Sequence, residues 1–178
     1  ILEDRIRMKI TFVAQNINEG PTDGGGSGRS LYLIASGLCE RGYDVRVVTI
    51  SSHRNTLGGD QPYELAEDAE LAPRRPIVYD AKIPGILSEY TQETDVFHMF
   101  EPQLLPGASR YATSGTPPIV GRLNSFEPFC FNTAKMDGEC HKTCSPIERF
   151  RHYDGPIHKN LALAPFMMYT EQRLNQMN

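Results

Sequence analysis

The stretch that most restricts the fold of this chain runs from Lys9 to Ile50, because its apolar spacing changes period twice. Lys9 to Ala14 (Lys-Ile-Thr-Phe-Val-Ala) is β-branched and aromatic, and reads as a buried strand. Gln15 to Ser30 is a loop that carries Gly20, Pro21, Asp23, Gly24, Gly25, Gly26 and Gly28. Leu31, Ile34, Ala35, Leu38 and Cys39 then fall on one stripe of an amphipathic helix. Arg41 lies in its last turn, and Gly42 stands where a left-handed residue ends a helix. Asp44 to Ile50 is a second strand. Strand, loop, helix and strand in this order form a βαβ unit, which places both strands parallel in one sheet.

The remainder continues the alternation. Residues 51–76 are polar and broken by Gly58, Gly59, Pro62, Pro73 and Pro76, a long connection with room for a short helix at Glu64 to Leu71. Ile77 to Tyr79 is expected as a short strand, Ile83 to Tyr90 as a short helix, and Asp95 to Phe100 as a strand. Gln103 to Ala112 reads as a helix, Pro118 to Leu123 as a strand, and Pro156 to Asn178 as helical with a break at Pro165. The pattern implies an α/β fold, a Rossmann-like doubly wound parallel sheet in one domain. Residues 1–7 are set aside as upstream or tag residues, leaving the domain at 8–178, and the unfinished helical pattern at Asn178 suggests a cut.

Composition narrows the functions. With 178 residues the chain is large enough for one real core, and 39% hydrophobic against 22% charged residues is too apolar for a disordered chain. A net charge of −4 gives no reason to expect a nucleic acid as partner. The longest apolar stretch, Leu161 to Tyr169, is far short of the about 18 residues that cross a bilayer and contains Pro165. The first seven residues carry two acids and no apolar core, so they are no signal peptide, and the expected location is cytoplasmic.

Asp23-Gly24-Gly25-Gly26-Ser27-Gly28-Arg29 lies after the first strand and opens the first helix, where backbone N–H groups and a helix dipole favour an anion. The dinucleotide fingerprint G-x-G-x-x-G fails here: counted from Gly24 its sixth place is Arg29, and from Gly26 it is Leu31. A P-loop fails as well, since no lysine lies between Lys9 and Lys82. Two readings stand, a turn that only reverses the chain and a phosphate contact.

In order and spacing these features resemble the N-terminal half of a GT-B glycosyltransferase of the large retaining family four, also called group 1. Gly25-Gly26 matches that family's Gly-Gly loop, and Arg41-Gly42-Tyr43-Asp44-Val45 its R-G-H-x-V helix end. Asp95-Val96-Phe97-His98 matches its D-v-v-H strand, and Pro118 to Cys130 its P-x-V-x-T-L-H-D-x-x-P-x-C stretch. The resemblance spans about residues 8–178. It implies hexosyl transfer from a nucleoside-diphosphate sugar to a hydroxyl of a sugar or lipid-linked acceptor, with no cofactor required. Gly25 and Gly26 would meet the donor diphosphate, while His98, Asn124, Phe126 and Glu127 would line the acceptor site. The family's H-D pair is Asn124-Ser125 here, and an amide cannot act as a base at neutral pH, so no catalytic residue is assigned. A C-terminal donor domain with an E-x7-E motif is expected beyond Asn178, and this stretch alone is expected to be inactive. The rival readings are another doubly wound nucleotide- or phosphate-binding enzyme and a non-enzymatic binding domain.

Three further features are open. His98, flanked by Phe97, Met99 and Phe100, fits a satisfied half-buried histidine as well as an acceptor contact. Cys130, Cys140 and Cys144 with His141 fit a zinc site, a disulfide plus a free thiol, or three reduced cysteines. Arg149, Arg151, His152, His158 and Lys159 fit a solvated surface, or peripheral contact with an anionic acceptor or membrane face.

Overall fold

The computed structural model describes residues 7–20, 26–51, 55–67 and 76–122, together with residues 169 and 172. Five strands form one sheet in the order β3-β2-β1-β4-β5, where β1 is Lys9–Ala14, β2 Asp44–Thr49, β3 Glu64–Glu67, β4 Val96–Met99 and β5 Ile119–Gly121. Every pairing is parallel. Three α-helices accompany them: α1 (Ser27–Glu40), α2 (Pro76–Tyr90) and α3 (Leu105–Tyr111). The arrangement is a Rossmann-like α/β domain. Among the described residues no helix is long and apolar enough to cross a membrane.

Alternation along the strands divides the core in two. Phe12, Ala14, Val45, Val47 and Phe100 pack with Leu31 and Ala35 of α1. Their strand neighbours Val13, Val48, Phe97 and Met99 pack with Tyr79, Ile83 and Leu87 of α2 and with Ala108 of α3. Because successive strand side chains point to opposite faces, two apolar layers arise from one run of β-branched and aromatic residues. Both faces are therefore covered, as an all-parallel sheet requires.

The first βαβ unit follows its sequence closely. β1 spans Lys9–Ala14 as expected, and the stripe from Leu31 to Cys39 lies toward the sheet. The end of α1 is a Schellman motif: Gly42 N–H donates to Cys39 O at 2.9 Å and Tyr43 N–H to Leu38 O at 3.2 Å. Gly42 has φ +86°, a conformation that excludes most side chains there. α1 begins at Ser27, four residues before the first apolar position.

Two expected elements are corrected. Glu64–Glu67 is strand β3, not the start of a helix. Its Glu-Leu-Ala-Glu composition favours helix, but Leu65 joins the α1-side core, Ala66 the opposite one, and Glu64 meets Arg46 at 2.8 Å. Pairing with β2 overrides weak local propensity. The strand expected at Ile77 to Tyr79 is the first turn of α2, which absorbs the helix expected from Ile83. Pro76 opens it, at the position where a missing N–H costs nothing. Buried Tyr79, Ile83, Ile86 and Leu87 continue one stripe across Pro84. That proline leaves the Asp80 carbonyl without its helical donor, and Arg110 of α3 supplies a long contact from Nη1 at 3.5 Å. α2 and α3 approach closely at Gly107, where an added Cβ would stand 2.8 Å from both Ile83 Cβ and Tyr79 O.

Candidate functional site

The chain leaves the sheet in opposite directions at two neighbouring strand ends. From β1 it runs to α1 on one face, and from β4 through a 3₁₀ turn at Pro102–Leu104 to α3 on the other. The pairing of β1 and β4 closes with Phe100 N–H donating to Val13 O at 2.9 Å. Beyond that bond the connections diverge, which makes the C-terminal ends of β1 and β4 the topological switch point of the sheet, the usual location of ligands in such folds.

α1 enters this point by its N-terminus. Gly26 is the residue that begins the helix, in the αR region, with no side-chain cap and no acid in the first turn. Its carbonyl accepts from Ser30 N–H at 2.8 Å. The first-turn N–H groups thus carry the positive end of the helix dipole toward the strand ends without an N-cap side chain. A Cβ at Gly28 would lie 2.4 Å from Asn18 Nδ2 and 3.0 Å from Asn16 Nδ2, so a larger residue there would displace the Asn18 amide. Asn18 is thereby seated against the first turn, and its backbone N–H donates to Gly28 O at 3.3 Å.

The charge at the switch point comes from Glu101, the residue directly after Phe100 at the end of β4. It is only 6% exposed. Gln15 N–H, at the end of β1, donates to its Oε2 at 3.0 Å, and Ser27 Oγ, in the first turn of α1, donates to its Oε1 at 3.2 Å. One carboxyl group therefore joins β1, β4 and α1. Burial pushes its pKa up to about 7, against the opposing pull of the Gln15 and Ser27 hydrogen bonds. Among the described residues two other buried polar atoms here have no hydrogen-bond partner: Gln15 Nε2, in a residue 8% exposed, and Asn18 Oδ1, in a residue 3% exposed.

A third asparagine braces the rim. Asn55 Oδ1 accepts from Ile17 N–H at 3.0 Å, while its Nδ2 donates to Thr49 Oγ1 at 2.9 Å and Glu67 Oε1 at 3.0 Å. Glu19 fixes the next step of the loop, accepting from Gly58 N–H at 2.8 Å.

Of the residues named from the sequence, the structure places Gly26 at the head of α1 and His98 within β4. His98 stands opposite Phe12, two residues short of the end of β1, on the α1 side of the sheet. It is half-buried, 4.9 Å from the Phe12 ring and 5.9 Å from the Phe100 ring between centroids. Desolvation, and secondarily Arg122, lower its pKa, so the imidazole is neutral at pH 7. Arg122 in turn lies over the Phe100 ring at 4.7 Å. Gly25, Asn124, Phe126, Glu127, Cys130, Cys140 and Cys144 lie outside the described residues, as does the basic stretch from Arg149 to Lys159. Among the described residues no cluster of histidine, cysteine and acids forms a metal site. Cys39 is a free thiol whose pKa is raised, by burial first and by Asp44 second.

Sequence reasoning passed over Glu101, Gln15 and Asn18. The signal for Glu101 was a single acid set between an apolar strand and Pro102, the place where a parallel sheet presents its ligand-facing end. What the described residues define is a Rossmann-like domain with a polar, partly unsatisfied switch point. No family model matches the chain, and no curated protein matches it.

Proposed function

We propose that this domain is the acceptor-side half of a retaining GT-B glycosyltransferase, one that moves a hexosyl group from a nucleoside-diphosphate sugar to a hydroxyl. The observation that carries this reading is the uncapped N-terminus of α1, beginning at Gly26, set at the switch point between β1 and β4. Support comes also from the order of the sequence motifs, which puts Gly25-Gly26 before α1 and His98 on the strand beside it.

In this reaction the bond between the anomeric carbon and the diphosphate oxygen breaks, and a bond to the acceptor oxygen forms on the same face. The acceptor proton passes to the departing phosphate oxygen. Asn124 would orient a hydroxyl by donating and accepting hydrogen bonds, and takes no proton. Backbone N–H groups at Gly25 and Gly26 would stabilise the charge that grows on the diphosphate, as fixed dipoles that need no reorganisation. Neutral His98 would accept from an acceptor hydroxyl, with Phe126 and Glu127 completing the acceptor wall. The nucleotide would be held by a second domain across the cleft.

The test is turnover by the full-length protein with UDP- and GDP-sugars and a panel of hydroxyl acceptors. Release of nucleoside diphosphate, with a product that keeps the donor's anomeric configuration by proton NMR, is the expected result. Inverted configuration, or no release with any donor, overturns the reading.

A further inference from the structure

We propose that Glu101 is a built-in anion that occupies the N-terminal pole of α1 in the free protein, and that a diphosphate takes this pole only when Glu101 carries a proton. The proposal rests on the reading of the Gly25-Gly26 loop as a diphosphate contact and assigns that contact its regulation.

The geometry sets the Glu101 carboxyl beside the first turn of α1, held by the Ser27 hydroxyl, next to the place an external anion would need. α1 supplies neither an N-cap side chain nor an acid of its own in the first turn. Its Ser27 hydroxyl instead reaches Glu101, a residue far away in sequence, and the other carboxylate oxygen takes the N–H that closes β1. A carboxylate at this pole is favoured by the same dipole that favours phosphate. The two anions cannot share a buried site without strong repulsion, because the low local dielectric weakens screening. Among the described residues, the charged or titratable groups on the segments that meet at this end of the sheet include Arg29 in the first turn of α1, which is exposed, Glu19 in the loop after β1, His98 on β4 and Arg122 after β5. None of them contributes to the titration of Glu101, which is set by burial, the Gln15 N–H and the Ser27 hydroxyl.

A second observation points to a ligand at the same place. Asn18 lies against the first turn of α1 at Gly28, and its Oδ1 is buried without a partner. Gln15, whose N–H holds Glu101, keeps Nε2 buried without a partner as well. The Gln15 amide is a donor that a phosphate oxygen would complete, whereas Asn18 Oδ1 is an acceptor that a sugar or ribose hydroxyl of the bound molecule would complete, since the diphosphate itself offers no proton. A protonated Glu101 changes from acceptor to donor at one oxygen, so it can hydrogen-bond to a phosphate oxygen where the carboxylate would repel it. Burial has already brought its pKa to about 7, which makes the proton available near neutrality.

Titration calorimetry on the full-length protein with UDP-glucose and GDP-mannose tests this, since the diphosphate charge of both is constant from pH 5.5 to about 8.5. Affinity is expected to be level below pH 7 and to fall about tenfold per pH unit well above it. At pH 8, heats in buffers of different ionisation enthalpy are expected to report uptake of about one proton per ligand. The E101Q variant is expected to bind with no pH dependence and no proton uptake. Carbon-13 NMR of the Glu101 carboxyl in the unmutated protein needs no variant: the midpoint near 7 is expected to move up by at least about one unit with ligand bound. Binding with level affinity, no proton uptake and an unmoved carboxyl titration overturns this proposal and leaves the glycosyltransferase reading standing. Absence of binding by both nucleotide sugars at every pH overturns the two together.

Discussion

The two ends of the parallel sheet are built on different terms. At the end where the strands begin, charges meet opposite charges. Arg46 on β2 contacts Glu64 at 2.8 Å and Glu93 at 2.6 Å, and the Tyr90 ring lies 5.0 Å from its guanidinium carbon. Lys9 stands 3.7 Å from Asp44, its backbone N–H donates to Asp95 at 2.7 Å, and the Thr11 and Thr94 hydroxyls are 2.7 Å apart. Even there Arg46 keeps Nε and Nη1 without acceptors, which Tyr90 offsets in part. At the end where the strands finish, Glu101 is buried with two neutral donors and, among the described residues, no cation, beside unpartnered atoms of Gln15 and Asn18. The first end serves stability. The second stores an electrostatic penalty where the fold receives ligands.

Four substitutions probe that contrast. The largest effect is expected at Glu101, and its sign is unusual for an acid. Its carboxyl titrates near 4.5 when unfolded and near 7 when folded, so between those values the native state binds more protons than the unfolded one. Stability therefore falls as pH rises from about 4.5 through 7, by about 3 kcal/mol in all. E101Q is expected to flatten this fall in urea titrations across pH, and to be the more stable protein at pH 8. At the opposite end R46A is expected to lower stability by about 2 kcal/mol, from lost packing and lost pairing with β3. Equilibrium unfolding at pH 7 checks it, and an effect as small as that at an exposed pair would erase the distinction between the ends. S27A removes one of two donors to Glu101 and is expected to cost about 1.5 kcal/mol at pH 8 and much less at pH 5, where the carboxyl is neutral. The smallest effect belongs to K9M: with the Lys9 and Asp44 side chains 39% and 47% exposed, thermal unfolding should change by under about 0.5 kcal/mol, less at high salt.

The legible part of the fold is the part governed by local period. Lys9–Ala14, the α1 stripe and Gly42 stand where spacing and turn chemistry put them. The misread elements are those where distant partners decide. Glu64–Glu67 pairs with β2 through Arg46, a residue eighteen positions earlier. Pro84, a helix breaker by rule, is accommodated because α3 brings Arg110 to the carbonyl it frees. The candidate site divides in the same way. The glycine loop announces itself by composition, whereas Glu101 owes its character to desolvation, and desolvation is a property of assembled layers. Gln15 and Asn18 read as ordinary loop residues until Gly28 and the strand ends enclose them.

The single amide of Asn55 gathers Ile17, three residues past the end of β1, with Thr49 and Glu67, the last residues of β2 and β3. The short outer strand β3 is thus mechanically in series with the loop that carries Asn18. A lesion at the outer margin of the sheet, such as loss of the Glu67 carboxylate, travels through one side chain to the mouth of the crevice, so the margin sets the shape of the centre.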